Sequence, residues 1–266
     1  AARVVPPTIE LKKPVVSPEN IVEAGIYIPP QLHLVTARAL EDAWGAPHAS
    51  PGIDINPVPL MELRARMRED FEKLHGVKLR YDYFVVRACA WLLTRPEFHI
   101  LNARWITQDN GSVIELYQDV NIGIAVGILP PHAQGKFSDL VIPVNRDASR
   151  RSLAGIAKKA DALIQEALSG KPRTDNLMGL TFTVNNTGNP VKWNGMTYAG
   201  DEDPDPVIPR DTAAILAFGA IREVGTVKLM KFRLRFDHRV VQGNEPKMFL
   251  RAVQSLLEHP EQILAL

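Results

Sequence analysis

A chain of 266 residues with 45% hydrophobic and 23% charged residues has globular composition, which excludes a disordered chain. Lys and Arg number 31 against 30 Asp and Glu, so a net charge of +1 provides no global field for nucleic acid or an anionic membrane. The single cysteine, Cys89, excludes an internal disulfide framework and a cysteine-based zinc cluster, and no apolar run approaches the ~20 residues of a membrane span. No signal peptide opens the sequence, so a reducing compartment is expected.

Residues 1–24 mix Ala and Val with four prolines and show no sustained period, as an extended arm or linker does. Residues 25–266 alternate helical and strand-like patterns without a second linker, which predicts one mixed α/β domain, a mixed sheet with flanking helices. Leu60, Leu63, Met67, Phe71 and Leu74 recur at helical spacing, and Gly76 stops that helix. A second helix is expected over Asp82–Leu93, with Pro96 beyond it. The nearly all-apolar runs 120–129 and 213–219 predict strands covered on both faces. Between them, Leu153, Ile156, Leu163, Ile164 and Ala167 mark one side of a helix over Arg151–Leu168 that ends at Gly170. Residues 179–184 are β-branched and aromatic, as in a strand. From Lys231 to His238, strict alternation puts Phe232, Leu234, Phe236 and, if the strand persists, His238 on one side. The last helix opens at Pro246 and carries Met248, Phe249, Val253, Leu256 and Leu257.

Several chemistries fail on spacing. Gly135-Lys136 lacks both the earlier Gly and the following Ser/Thr of a phosphate loop, and no G-x-S-x-G, H-E-x-x-H or dinucleotide-type G-x-G-x-x-G is present. The seven histidines are scattered singly, which speaks against a His-rich metal site.

The stretch Phe236-Asp237-His238-Arg239-Val240-Val241-Gln242-Gly243, followed by Phe249-Leu250 and Leu257-Glu258-His259-Pro260, resembles the end of a known family. It is similar to the catalytic domain of the lipoate-dependent acyltransferase components of 2-oxo acid dehydrogenase complexes, whose signature is DHRxxDG. The segment GLTFTVNNTG at 179–188 resembles that family's GGTFTISNLG strand. The run from VNIGIAVGI to LVIPVNRDASRRSLAGIAKKADAL resembles its NIGVAV and LVVPVIRDADKKSL stretches, and Ala46-Pro47-His48, Asp54 and the helix from Leu60 match earlier landmarks. The resemblance covers roughly residues 30–266.

The resemblance implies a chloramphenicol acetyltransferase-like α/β fold, trimers with the active site between subunits, and stacking into larger cores. Residues 1–24 then look like the remnant of an Ala/Pro-rich linker to lipoyl and subunit-binding domains. Implied partners are the 2-oxo acid dehydrogenase and dihydrolipoamide dehydrogenase components, with no nucleic acid and no membrane insertion, in bacterial cytoplasm or mitochondrial matrix. The implied reaction moves an acyl group between dihydrolipoamide and coenzyme A. A free thiol has a pKa of about 8.5 and needs a base near neutral pH. His238 matches the family's base.

Two positions depart from the family. The oxyanion donor, a Ser or Thr after F-T-x, is here Asn185, whose amide can still donate; Asn186 and Thr187 are its neighbours in a shifted alignment. Gln242 replaces the signature's Asp and can hydrogen-bond but not form an ion pair. Some actinobacterial relatives fused to a 2-oxoglutarate decarboxylase also resemble DHRxxQG. Two rivals stay open: a catalytically silent structural or tethering homologue, and a coenzyme A-dependent acyltransferase with a small, non-lipoyl acceptor. Elsewhere, Arg239 is expected in a structural ion pair, His48 in a structural role and Cys89 in the core. Asp201–Asp205 is expected to be a solvated acidic loop, and His132–Asp139 a long turn near a substrate channel.

Overall fold

The computed structural model describes residues 31–128, 139–170, 172–193 and 196–266. The arm expected over 1–24 and the turn expected at 132–138 lie outside the described residues. Helix α1 (Gln31–Trp44) leads to two short strands, β1 (His48–Ala49) and β2 (Gly52–Ile55), then to α2 (Val58–His75) and α3 (Tyr81–Leu92). A hairpin of β3 (Ala103–Gln108) and β4 (Gly111–Leu116) precedes β5 (Ile122–Ile124), β6 (Val126–Ile128), β7 (Asp139–Val141) and β8 (Val144–Asn145). After α4 (Leu153–Leu168) come β9 (Phe182–Asn186) and a small hairpin, β10 (Val191–Trp193) with β11 (Met196–Tyr198). The chain closes with β12 (Ala214–Val224), β13 (Val227–Asp237), α5 (Glu245–Glu258) and α6 (Glu261–Leu264).

Seven strands form one mixed sheet in the order β1-β13-β12-β9-β5-β8, with β2 joining β13 beside β1. β9 runs parallel to both β12 and β5, and the other pairings are antiparallel. Register aligns Val184 with Leu216 and Leu216 with Leu234, and it aligns Phe218 with Phe232. These side chains share one face with Phe182 and Phe236, and α3 and α5 cover that face. The Phe218 and Phe232 rings stack at 5.3 Å between centroids, and Phe249 of α5 meets Phe182 at 5.9 Å. Helix α3 is apolar nearly all round and buried from Tyr83 to Leu92 except at Trp91, as a central helix must be.

Sequence patterning located four helices, with shifted edges. Leu60, Leu63 and Phe71 are buried on α2, which Gly76 ends at φ 73° by donating its N–H to the Glu72 carbonyl. Leu74, however, is 77% exposed, and Met248 of α5 is 50% exposed. Both obey the helical spacing and yet stand exposed; the main packing partner of α2 is α5. The run 120–129 is not one strand: it splits at Ala125 into β5, in the main sheet, and β6, which pairs with β7. The strand expected at 179–184 starts at Phe182 and continues through Asn186. Helix α1 and the β3–β4 hairpin were not anticipated by the patterning.

At the exit from β9 three backbone segments cross. A Cβ on Gly188 would strike the backbone of Gly219 and Ala220, and one on Gly200 would strike Gly188. One on Gly219 would lie 2.7 Å from the Asp201 carbonyl oxygen. The crossing is tied by hydrogen bonds from Thr187 N to Phe218 O at 3.0 Å, Asp201 N to Thr187 O at 2.9 Å and Ala220 N to Asp201 O at 2.7 Å. Gly219→Ala is therefore expected to destabilise the fold by about 1–3 kcal/mol, as overpacking does. Gly127→Ala, where a Cβ meets nothing within 4 Å, is the control and leaves the melting temperature unchanged or slightly higher. Thermal unfolding of the two variants reads the difference.

Candidate active site

The alternation of β13 holds through Phe236 and then stops. Phe232, Leu234 and Phe236 are buried, while Lys231, Arg233 and Arg235 stand half-buried on the other face. The strand ends at Asp237, itself 4% exposed. Its Oδ1 accepts from Arg239 N at 2.9 Å and Nε at 3.0 Å, and its Oδ2 accepts from Arg239 Nη2 at 2.7 Å. Its carbonyl accepts from Val240 N and Val241 N at 3.0 Å each. One carboxylate thus turns the chain sharply, and His238 occupies the outer corner of the turn.

His238 is therefore not carried into an apolar environment by strand parity, as the alternation suggested; the strand ends one residue earlier and the ring is exposed on the single chain. Its backbone is nevertheless fixed. His238 N donates to Pro47 O at 2.8 Å, and Asp237 N donates to Ala213 O at 2.9 Å. The ring rests against Phe236 with centroids 5.4 Å apart and makes no hydrogen bond among the described residues. Both imidazole nitrogens are thus available to an incoming group.

Arg239 forms the expected ion pair, with Asp237, and its guanidinium lies 5.4 Å from the Trp105 ring centre. Beside this pair opens a cleft of about 330 Å³, lined by His48, Arg104, Trp105, Asp211, Asp237 and Arg239 among others. His48 pairs with Asp237 across the β1–β13 ladder. Burial, then the nearby Arg235 charge, lowers its pKa, so the imidazole is neutral at pH 7, and its buried Nε2 has no hydrogen-bond partner. Gln242 is exposed and makes no hydrogen bond among the described residues. Cys89 is wholly buried, and burial pushes its thiol far above the usual range.

The second half of the candidate site lies on β9. Phe182 and Val184 face the helices, so alternation sends Thr183 and Asn185 to the opposite face and Asn186 back to the helix side. Asn185 is half-buried, and its amide makes no hydrogen bond among the described residues. The Asn186 amide is fully engaged. Its Nδ2 donates to both Asp82 oxygens at 3.2 Å, and its Oδ1 accepts from Gly188 N at 3.0 Å. Burial raises the Asp82 carboxyl above its ordinary value, against its own backbone N–H, the Asn186 amide and Arg80. Nothing in the sequence signals this pair, whose members are 104 positions apart.

The acidic loop is not merely solvated. Asp203 accepts from Arg233 Nη2 at 2.6 Å, Asp205 pairs with Arg235, and Arg233 holds Asp203 below the usual carboxylate range. Asp54 takes Arg222 at 2.7 Å and Lys231 at 3.7 Å. Among the described residues no group of three or more His, Cys, Asp or Glu gathers as metal ligands do, and no helix is long and apolar enough to cross a membrane.

One chain does not bring His238 and Asn185 together. Asn185 is level with Ala217, and Ala217 with Arg233, while Asp237, the last residue of β13, lies four residues further along and two strands across, with His238 at the turn just beyond it. At ~3.3 Å per residue and ~4.8 Å per strand, Asn185 and the end of β13 that carries His238 are separated by roughly 16 Å.

A family model described as 2-oxoacid dehydrogenases acyltransferase (catalytic domain) matches residues 31–265. The succinyltransferase component of the 2-oxoglutarate dehydrogenase complex of Bartonella vinsonii subsp. berkhoffii is 32% identical over 88% of this chain and 54% of its own length. The lipoamide acyltransferase component of the branched-chain alpha-keto acid dehydrogenase complex of Pseudomonas aeruginosa is 33% identical over 84% of this chain and 49% of its own. The chain thus spans about half the length of the curated relatives it matches. The solved dihydrolipoamide acetyltransferase of Azotobacter vinelandii, a protein in which a serine, a histidine and an asparagine have been investigated for roles in the catalytic mechanism, superposes with a TM-score of 0.75. It is 25% identical over 94% of this chain and 100% of that one. The match of the family model to nearly the whole described chain, with relatives above 30% identity over more than four fifths of it, shows that the chain belongs to the acyltransferase family of the 2-oxo acid dehydrogenase complexes, over its catalytic domain.

Proposed function

We propose that this chain is an acyltransferase core that moves an acyl group between dihydrolipoamide and coenzyme A. The observation that carries this reading is His238, whose backbone is locked on two sides and whose ring nitrogens are free at an exposed corner. His238 accepts the proton of the attacking thiol as its sulfur bonds to the thioester carbonyl carbon. Asn185 donates an amide N–H to the carbonyl oxygen as it gains negative charge. His238 then returns the proton to the sulfur that leaves when the old C–S bond breaks. Gln242 keeps hydrogen-bonding capacity at the family's carboxylate position.

The separation of roughly 16 Å between Asn185 and the end of β13 that carries His238 supports a site shared by two copies, as in a trimer whose neighbours contact head to tail. In that arrangement the exposed ring of one copy faces the β9 end of the next. Larger cores, the dehydrogenase and dihydrolipoamide dehydrogenase partners and a cytoplasmic setting belong to the same reading.

Transfer of acetyl, succinyl or isobutyryl groups from their coenzyme A thioesters to dihydrolipoamide tests it. His238→Ala is expected to lose about 100- to 10,000-fold in kcat, the range for a general base. Asn185→Ala is expected to lose about 100-fold in kcat with little change in KM. Wild type without turnover, in a folded assembly, selects the silent scaffold instead.

Co-assembly of the two variants gives an independent readout. If each site takes His238 from one copy and Asn185 from its neighbour, random mixing restores about a quarter of wild-type turnover. A site built within one chain would remain dead in every mixture.

A further inference from the structure

We propose that Asp82 is a positioning residue for acyl transfer: through Asn186 it fixes the end of β9 from which Asn185 projects. The proposal rests on the acyltransferase reading and adds a residue to it. Because side chains alternate along a strand, whatever grips Asn186 on the helix side sets the backbone from which Asn185 leaves on the other.

The grip has a direction. Asn186 carries a donor group and an acceptor on one planar amide, and its two orientations differ only in which end faces Asp82. An ionised carboxylate accepts and cannot donate, so it holds Nδ2 towards the helix, where both oxygens receive it at 3.2 Å. Oδ1 is thereby turned towards Gly188 N, 3.0 Å away, at the tight backbone crossing. A neutral acceptor at position 82 leaves the amide free to flip. The flip would point two N–H donors at the Gly188 N–H and release the turn that follows Asn185.

Folding does not favour the charge on Asp82. It lies in the first turn of α3, where the helix dipole favours an anion, yet burial outweighs that help and raises its pKa. The charged and titratable groups around this helix start are Arg80 ahead of it, Tyr83 on it and Asp161 from α4. A carboxyl whose folded pKa is raised contributes stability below its unfolded value and loses it as pH rises through the folded value. At neutral pH the carboxylate is therefore a cost that an uncharged side chain of the same shape avoids.

These two properties separate positioning from scaffolding. Asp82→Asn is expected to melt no lower than wild type at pH 7, the difference vanishing in acid. Its kcat falls about tenfold, part of the 100- to 1,000-fold that deleting an oxyanion donor costs, with KM for the acyl-CoA within about twofold. The exchanged pair, Asp82→Asn with Asn186→Asp, keeps one carboxylate and one amide in contact and an acceptor for Gly188 N, and it is expected to recover most of kcat. Wild-type turnover in D82N overturns the proposal. So does a kcat loss that tracks a falling melting temperature, or a folded exchanged pair that stays as slow as D82N. An inactive wild type removes the acyltransferase reading and this inference with it.

Discussion

β12 and β13 are joined by a two-residue loop, with Gly225 at φ 61°, and are paired over almost their full eleven residues. A positive φ at the first loop position suits the twist of a tight hairpin, so the loop sets the register and the register sets everything beyond it. A slip of one residue would turn Phe232, Leu234 and Phe236 out of the core and the three basic side chains into it. The same register places Ala214 opposite Phe236, which determines where β13 runs out and His238 emerges. It also sets the level of β9 through Ala217 and Asn185. The bulge between Phe218 and Ile221 gives the ladder a gap at Gly219, and the strap from Gly200 to Asp203 crosses there.

The elements with a long, unambiguous period were readable before the structure: α2, α4 and α5 by their apolar stripes, and β13 by alternation. What failed has a common cause. Leu74 and Met248 obey helical spacing and are exposed, because spacing gives direction around an axis but not how far the neighbouring elements extend. The run 120–129 is continuous in hydrophobicity but its two halves pair with different strands, a choice made by partners far away in the chain. In the candidate site, His238 was legible from its motif, but its exposure was not. Parity along a strand says nothing once Asp237 captures Arg239 and turns the backbone. The Asp82–Asn186 contact was illegible, since a lone Asp at a helix start reads as an ordinary favourable charge.

Electrostatics on the face away from the helices are settled locally. Lys231, Arg233 and Arg235 would make β13 a strongly basic ridge, yet Asp54, Asp203 and Asp205 each answer one of those charges. Exposed pairs of this kind add little stability individually. Their consequence is geometric: they hold the 201–205 strap across β13 beside the crossing that ends β9. The near-zero net charge of the sequence is thus reproduced on the one surface where strand alternation concentrates cations.

The two departures from the family signature differ in what they ask of the chain. A serine or threonine hydroxyl rotates to meet an oxyanion, whereas an amide donates along directions fixed by its plane. As the proposed donor, Asn185 would depend more heavily on an exact backbone position, and β9 ends in a tight set of constraints. Three glycines allow backbone contact, Thr187 is bound to Phe218, and Asn186 is held by a carboxylate whose burial raises its pKa. Gln242 has no such support. It follows the buried Val240 and Val241 but is itself exposed and without a hydrogen bond among the described residues. In the proposed site, the substituted donor is therefore anchored through its strand neighbours, whereas the substituted orienting group has no such anchor among the described residues.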